Sequence, residues 1–491
     1  MKTKQLLLVT VLYAITLSLS AQSSAVKEIN RINTASVGLA PLRFLASDEL
    51  MGRDPFRPEI NIAARYISEQ FRSIGIREVQ GTTDYFQTFD MKTLLPPTKG
   101  SITINNLSYE LGKDFVQSWG MADVSITAPV IFIGEETEVD FDQIDVAGKI
   151  VIANRNKTGD TAFAERTQKR KTAHDKGALA LIERYSPSIG DWNEILDFYT
   201  RERLVPDPGP LPIFIVNDTK NELASLAPGG EATINVTGYR VAGRGAKNVM
   251  GWLEGTDPKL KAQFIVLSAH YDHLGVAARP KMEEGKMDSI YNGARDNAVG
   301  TTAVIDAARY FAQHPPKRSV LFIAYTAEEL GLIGSQYFSE HPTIPLQQLV
   351  YNLNIDNASY NDTTIVSVVG LGRTSADNDI QKACAAYGLT PMPDPAPEEN
   401  LFDRSDNVML AAKGIPSPTY SLGIRKFDST ITNRYHQLSD EVGNFNLSYA
   451  MKYINAFILA AQNIADNETQ PQWIKGDKYE AAWKELFHKT Q

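Results

Sequence analysis

Cysteine is almost absent from this sequence of 491 residues, because Cys384 is the only one. A single thiol cannot close a disulfide within the chain, so stability has to come from buried apolar surface and from any bound ligand. Cys384 lies in a helical pattern over residues 380–387, and we predict that it packs in the core.

The chain also lacks an excess of basic charge. Its 49 Lys and Arg residues face 58 Asp and Glu residues, which gives a formal net charge of −9. General attraction to nucleic acid or to anionic membranes is therefore not expected, and we predict no nucleic-acid partner. The G-x-S-x-G motif of serine hydrolases and the G-x-x-x-x-G-K-[ST] phosphate loop are missing as well, so neither class has support from the residues.

Long apolar runs are missing except near the start of the chain. Lys2 and Lys4 precede the apolar residues 6–19, and small residues follow. This order is typical of a secretory signal peptide, whereas a membrane-spanning helix, the alternative, needs about 20 apolar residues. We predict a signal peptide over residues 1–25, a mature chain without a stable membrane span, and a secreted or periplasmic location.

The pattern of apolar residues predicts an α/β protein with an insertion. A chain of this length is expected to hold two or three domains. From Asn248 onward, strand-like and helical runs alternate, which predicts a mostly parallel sheet with helices on both faces. Residues 113–240 differ, because short apolar runs bounded by Gly, Pro and Asp predict a small β-rich module. We expect residues 26–112 and 241–491 to form the catalytic domain around it.

The individual elements follow from periodicity. Helical spacing of Ile62, Tyr66, Ile67, Phe71 and Ile74 predicts a helix with one apolar face, which ends at Gly75. The strands predicted after Asn248 are Val249–Leu253, Phe264–Ala269, Val320–Tyr325, Leu349–Ile355, Ile365–Val369 and Ser417–Ser421. The helices predicted there are Ala298–Gln313, Leu330–Ser339, Ala376–Tyr387 and Leu447–Ile464.

Acidic and imidazole side chains follow several of these strands. In open α/β sheets, ligands bind beyond the carboxyl ends of the strands. His270 follows one predicted strand, Glu328 and Glu329 follow a second, and Asp356 follows a third. Taken singly, these are also the patterns of a structural histidine, a solvated helix start and a turn. Together they predict a functional site at one edge of the sheet.

Three further residues complete this set. Asp272 lies two residues after His270, where a carboxylate commonly fixes the tautomer of a metal-bound imidazole. Asp296 precedes a predicted helix, so it is either an N-cap or a carboxylate that bridges two metals. His436 lies in a polar loop before the last long helix. The histidines at positions 174, 273, 314, 341 and 488 lack such neighbours and are expected to be structural.

The chemistry of this set suits divalent cations. Two neutral imidazoles and three carboxylates carry three negative charges against four positive charges of two divalent ions. Nitrogen and oxygen ligands without thiolate favour Zn²⁺, with Co²⁺ or Mn²⁺ as substitutes. Two such ions activate a shared water and polarise a carbonyl group.

Four motifs give this set a family resemblance. H-Y-D, G-A-R-D-N, E-E-L-G-L-I-G-S and R-Y-H-Q-L-S-D, in this order, resemble the co-catalytic zinc aminopeptidases of peptidase family M28. Further matches lie in L-A-S-D-E-L-M-G-R, residues 45–53, and in R-S-D, residues 404–406. Residues 113–240 resemble the protease-associated (PA) domain that many members carry, particularly in G-K-I-V at residues 148–151.

The resemblance implies roles for individual residues. It implies five ligands for two zinc ions, namely His270, Asp296, Glu329, Asp356 and His436. Asp296 is expected to bridge the ions, and Glu328 to act as general base. Asp272 would orient His270, and Tyr435 would stabilise the oxyanion. Peptides with a free N-terminus are the expected substrates.

The sequence departs from the family pattern at Arg295, where members usually have an acidic or small polar residue. A cation beside the bridging Asp296 is expected either to weaken metal binding or to favour an acidic group on the substrate, and the second effect bears on substrate preference. Asn407 stands where many members have histidine. The alternative functions are a carboxypeptidase or a one-zinc glutaminyl cyclase on the same fold, or a receptor-like binding protein without catalysis.

Overall fold

The structure is a computed structural model, and it describes residues 22–135, 144–154, 170–185, 191–204, 211–219, 222–223, 230–283 and 285–488. The predicted signal peptide lies outside the described residues except for residues 22–25, which are helical. None of the helices in the described part of the chain combines the length and apolar character that crossing a bilayer requires. The chain forms two compact units: a first unit of Met1–Phe89 with Gly245–Gln491, and a second unit of Asp90–Arg244.

The elements are numbered in chain order. The strands are β1 (Arg77–Glu78), β2 (Phe86–Leu95), β3 (Lys99–Ile104), β4 (Leu107–Glu110), β5 (Phe115–Trp119), β6 (Val124–Glu135), β7 (Ile150–Asn154), β8 (Ala180–Tyr185), β9 (Arg203–Leu204), β10 (Ile213–Asn217), β11 (Gly230–Thr237), β12 (Arg240–Leu253), β13 (Phe264–His270), β14 (Val276–Glu283), β15 (Lys286–Ile290), β16 (Ser319–Tyr325), β17 (Leu349–Ile355), β18 (Ile365–Val369), β19 (Thr390–Met392) and β20 (Thr419–Ser421). The α-helices are α1 (Ala35–Gly38), α2 (Ala40–Leu45), α3 (Glu59–Ile74), α4 (Trp192–Tyr199), α5 (Val299–Gln313), α6 (Ile333–Glu340), α7 (Asp377–Ala386), α8 (Asn407–Ala412), α9 (Ser429–Thr432), α10 (Leu447–Asp466) and α11 (Glu480–His488). Residues 22–32 and 170–175 are also helical.

The sheet of the first unit is mixed. Its strand order includes β19–β18–β20–β17–β13–β16–β12. The central neighbours β17, β13 and β16 are parallel, but β12 pairs antiparallel with β16, and β18 pairs antiparallel with β20. The prediction of a mostly parallel sheet is therefore wrong, although the α/β class is right. A fully buried strand is a continuous apolar run whether it lies parallel or antiparallel to its neighbours, so its sequence does not reveal its orientation in the sheet.

Helices cover both faces of this sheet, as predicted. Alternate side chains of β13 point to opposite faces. Leu267 packs in one core with residues of α3, α5 and α10, whereas Val266 packs in another with Phe338 of α6 and Leu410 of α8. Cys384 of α7 is buried in the first of these cores. The predicted helices and strands after Asn248 all recur in the structure with small shifts of their ends, except that β12 begins well before the predicted start, at Arg240.

The second unit has a sheet of its own, with the order β4–β3–β11–β6–β7–β8–β10–β5. Strands β6, β7, β8 and β10 are parallel neighbours. The unit begins at Asp90, before the predicted start at residue 113, because β3 pairs with β11. The likeness of this region to a PA domain stays a prediction.

The helix predicted near the start of the chain is α3, and its apolar face is narrower than expected. Ile67 and Phe71 are fully buried, but Ile62 is 51% exposed. Ile62 and Phe71 are nine residues apart, about two and a half helical turns, so they lie on opposite sides of the helix. Gly75 ends α3 with a φ of 88°, in the left-handed region that glycine adopts without strain.

We predict that Phe71→Ala lowers the free energy of unfolding by about 3–5 kcal/mol, because it empties a core position. The Phe71 ring lies 6.0 Å from the Phe322 ring of β16 and 6.3 Å from the Tyr85 ring. Ile62→Ala on the same helix is the control and should change stability by less than about 0.5 kcal/mol. Urea denaturation measures both, and equal losses would contradict this account of α3.

Candidate metal centre

Three strand ends bring the acidic and imidazole side chains together. His270 is the last residue of β13, Glu328 and Glu329 follow β16, and Asp356 directly follows β17. Because these three strands are adjacent and parallel, their carboxyl ends lie at the same edge of the sheet. Residues from distant parts of the chain therefore meet there.

Asp296 lies at the centre of this group. It belongs to a short irregular turn, Ala294–Ala298, which leads into α5, and it is buried. Its Oδ1 lies 3.2 Å from His270 Nε2, and its Oδ2 lies 3.2 Å from His436 Nε2. Asp356 Oδ1 is 3.1 Å from His270 Nε2, and Glu329 Oε2 is 3.2 Å from His436 Nε2.

These distances define two clusters that share one residue. The first cluster consists of His270, Asp296 and Asp356, which lie close enough together to hold one ion. The second cluster consists of Asp296, Glu329 and His436. Each carboxylate oxygen of Asp296 faces a different cluster, as a bridging ligand requires. The structure thus brings together all five residues that the sequence predicted as ligands.

His273 belongs to this site, although the sequence analysis left it structural. Its side chain is fully buried, and its Nδ1 lies 2.7 Å from Glu329 Oε1. His273, Asp296 and Glu329 also lie close enough together to hold one ion. The sequence feature that could have identified His273 is the motif H-Y-D-H, which places a second histidine in the loop directly after β13.

Asp272 supports the site in a way that differs from the expectation. His270 Nδ1 lies 3.2 Å from the backbone carbonyl oxygen of Asp272 but 3.8 Å from its Oδ1, which is too long for a hydrogen bond. The Asp272 carboxylate instead accepts the backbone N–H groups of Glu328, at 3.1 Å, and Glu329, at 3.3 Å. Its backbone orients the imidazole, and its side chain fixes the two glutamates.

Arg295 is bound inside the protein. Its Nη1 donates to Asp440 Oδ1 at 2.8 Å and to Asn444 Oδ1 at 2.9 Å. Its guanidinium also lies over the rings of Tyr360 and Phe445, at 5.2 and 4.9 Å. The side chain is 3% exposed. The cation beside Asp296 is therefore paired within the protein, which argues against a direct contact between Arg295 and a substrate.

Asp440 connects two loops of the site. Besides the Arg295 guanidinium, its carboxylate accepts the backbone N–H groups of Arg295, at 2.9 Å, and Asp296, at 3.1 Å. Asp440 follows His436 in the same loop. One buried carboxylate therefore fixes the position of the Asp296 turn relative to the His436 loop. The sequence contained Asp440 in a matched motif but gave it no role.

Arg53 has a similar supporting role from the other side. It is fully buried and donates to the carbonyl oxygens of Tyr271, at 2.8 Å, Asn292, at 2.6 Å, and Gly293, at 3.0 Å. Burial lowers the pKa of Arg53 to about 10, against the opposing charges of nearby carboxylates. It therefore remains charged at neutral pH and holds the loop after β13 beside the Asp296 turn.

The electrostatics of the two clusters reflect crowded negative charge. Burial opposes protonation of His436, but hydrogen bonds to Asp296 and Glu329 outweigh it and raise the pKa to about 10. Burial and the charge of Asp296 act to raise the pKa of Glu329, yet His273 and His436 hold it at about 2. A metal has to displace the imidazole protons, so binding should release protons. Nitrogen and oxygen donors around excess negative charge fit zinc.

Glu328 and Tyr435 line an open cleft beside these clusters, with about 600 Å³ of empty space. Burial raises the pKa of Glu328 well above its ordinary value; the charge of His270 opposes this, and the carboxylate of Asp356 adds to it. Burial also raises the pKa of Tyr435, so its hydroxyl stays protonated and available as a donor. The Tyr435 ring stacks on the His436 imidazole at 3.9 Å.

Comparison with known proteins finds a match in part of the chain. Residues 248–461 match the model of peptidase family M28. These residues of the chain are therefore similar to that peptidase family. Aminopeptidase YwaD of Bacillus subtilis is 27% identical over 237 residues, which are 47% of this chain and 44% of YwaD. The chain thus aligns with less than half of the length of this curated relative.

Solved structures agree with the fold. The aminopeptidase from Aneurinibacillus sp. strain AM-1 has a TM-score of 0.58 at 19% identity, over 90% of this chain and 96% of that one. BSAP, a zinc aminopeptidase from Bacillus subtilis, has a TM-score of 0.56 at 19% identity, over 91% and 97%. At these identities the likeness establishes the fold alone.

We predict that Asp440→Ala lowers the free energy of unfolding by about 3–5 kcal/mol, because it leaves the buried Arg295 guanidinium without its carboxylate. Denaturation of the metal-free protein measures this loss. Glu28→Ala, which removes an exposed ion pair with Arg31, is the control and should leave the midpoint nearly unchanged. Equal stability of the two variants would show that Asp440 does not support the Asp296 turn.

Proposed function

We propose that the protein is a co-catalytic zinc aminopeptidase, which removes single residues from peptides with a free N-terminus. The observation that carries this proposal is the position of Asp296, whose two carboxylate oxygens face different clusters at hydrogen-bond distance from His270 and His436. A carboxylate placed in this way suits a pair of ions. The match of residues 248–461 to a peptidase family and the similarity to a named aminopeptidase support the same activity.

The proposal assigns two Zn²⁺ ions per chain, with Co²⁺ or Mn²⁺ as substitutes. His270, Asp296 and Asp356 would hold one ion, and Asp296, Glu329 and His436 the other. His273, at 2.7 Å from Glu329, would hold that carboxylate in place. When bound, two zinc ions supply a water of lowered pKa and polarise the substrate carbonyl.

Glu328 acts as the general base in this mechanism. It takes a proton from the attacking water as the water oxygen bonds to the peptide carbonyl carbon. It then returns the proton to the leaving nitrogen as the C–N bond breaks. Its raised pKa suits a group that must both accept and donate. The backbone N–H bond to Asp272 holds this residue at its place after β16.

Tyr435 and the acidic residues contribute to substrate binding. The protonated Tyr435 hydroxyl donates a hydrogen bond to the developing oxyanion. The carboxylates of Glu328 and Asp356 line the same cleft and favour a cationic group, such as the free α-amine of a peptide. A requirement for that amine explains the removal of single N-terminal residues.

We predict that Glu328→Gln retains both metals but loses about 10² to 10⁴-fold in kcat, because the proton shuttle is missing. Hydrolysis of leucine p-nitroanilide and metal analysis of the same sample measure the two effects. Glu340→Gln, at an exposed glutamate of α6, is the control and should behave as wild type. Retained turnover in Glu328→Gln would refute this assignment. One tightly bound zinc with pyroglutamyl product would instead indicate a glutaminyl cyclase.

Removal of metal should lower the thermal stability of the protein, because an ion that binds only the folded state adds to its free energy of unfolding. A ligand at 100 times its Kd contributes about 2.7 kcal/mol. Differential scanning calorimetry before and after chelation measures this, and added zinc should restore the transition. An unchanged transition after verified metal removal would count against a preformed centre.

A further inference from the structure

The cleft beside the two clusters has apolar walls and one guanidinium. The apolar and small polar lining residues include Val369, Leu401, Ile424, Phe427, Ser405 and Thr419. Arg404 lies among them and is the one arginine or lysine in the described lining of this cleft. The other charged lining groups near it are the acids Asp296, Glu328 and Asp356 and the imidazole of His436.

Arg404 is held much less firmly than the arginines that support the site. Its Nη1 lies 3.4 Å from the carbonyl oxygen of Glu399 and 3.5 Å from Glu399 Oε2, both at the outer limit of a hydrogen bond. Its side chain is 47% exposed. In contrast, Arg53 and Arg295 are buried with several short bonds each. Arg404 can therefore exchange its present partner for a ligand at little cost.

The backbone that carries Arg404 is nevertheless fixed. Ser405 is buried, and its Oγ accepts a hydrogen bond from Asn354 Nδ2 of β17 at 2.9 Å. Helix α8 begins two residues later. The positive charge of Arg404 reaches Tyr435, where it acts to lower the pKa against the effect of burial. The guanidinium thus projects from a rigid position into the space in front of the catalytic groups.

We propose that Arg404 binds a substrate carboxylate that lies about one residue from the scissile bond. The planar guanidinium offers a carboxylate two parallel N–H donors, which the ammonium group of lysine does not. This inference rests on the proposed aminopeptidase function. The carboxylate has two sources: the side chain of an N-terminal Asp or Glu, or the free C-terminus of a dipeptide. In both cases the α-amine remains beside the acidic clusters.

Paired substrates distinguish the two sources. Comparison of glutamyl p-nitroanilide with glutaminyl p-nitroanilide tests a side-chain carboxylate. Comparison of Leu-Ala with Leu-Ala-amide tests a C-terminal carboxylate. With the zinc-loaded wild type, we expect kcat/KM to be about 10-fold higher for the carboxylate member of at least one pair, mainly through KM. Arg404→Ala should abolish this difference and leave the neutral members within about twofold.

Three variants sharpen the test. Arg404→Lys keeps the charge without the planar fork and should restore only part of the preference. Glu399→Gln removes the carboxylate that competes for Arg404 and should lower KM for the carboxylate members. Arg31→Ala, at an exposed arginine on residues 22–32, is the matched control and should change neither pair.

The outcomes separate this inference from the proposed function. If the folded, zinc-loaded protein hydrolyses the neutral substrates without preferring a carboxylate in either pair, Arg404 does not bind one and the inference is overturned. The inference is also overturned if Arg404→Ala lowers kcat/KM equally for the carboxylate substrate and the neutral substrate of a pair. If no substrate of either kind, nor leucine p-nitroanilide, is hydrolysed, the aminopeptidase proposal itself fails.

Discussion

The structure of the first unit depends on how it accommodates crowded negative charge at one edge of its sheet. Asp272, Asp296 and Glu329 are nearly inaccessible to water, and Glu328 and Asp356 lie beside them. Like charges at this distance destabilise a folded protein unless cations or N–H donors compensate them. Imidazoles, buried guanidinium groups and backbone N–H groups compensate part of this charge, and the chemistry of the remaining donors suits divalent ions.

Two kinds of residue build this charged edge of the sheet. His270, Asp296, Glu329, Asp356 and His436 direct their polar atoms at one another, whereas Arg53, Asp272 and Asp440 direct theirs at the backbone that carries them. The residues that bind the backbone fix the loops, and the fixed loops hold the five candidate ligands close to one another. Such supporting contacts are what hold a metal site to the accuracy that catalysis needs.

The three arginines near the site show how the surroundings decide the role of one residue type. Arg53 and Arg295 are buried and make several hydrogen bonds each, so they are structural cations. Arg404 is half exposed and weakly bound, so it is the one of the three that a ligand can engage. Sequence alone drew attention to Arg295, because it interrupts a family motif. Burial in the tertiary structure shows that its charge is used inside the protein.

The sequence by itself determined the α/β class and the long helices and central strands after Asn248, because buried elements carry periodic apolar residues. It also singled out five side chains that the structure brings together at the candidate metal centre, because acidic residues and histidines follow the predicted strands. It failed where the deciding contacts join residues far apart in the chain. The direction of β12, the hydrogen bonds that Glu328 and Glu329 donate to Asp272, and the pairing of Arg295 with Asp440 belong to this group. His273 and Arg53 gained their roles only when the loops came together. Local patterns record which residues are buried, but tertiary structure alone decides which buried polar atoms face each other.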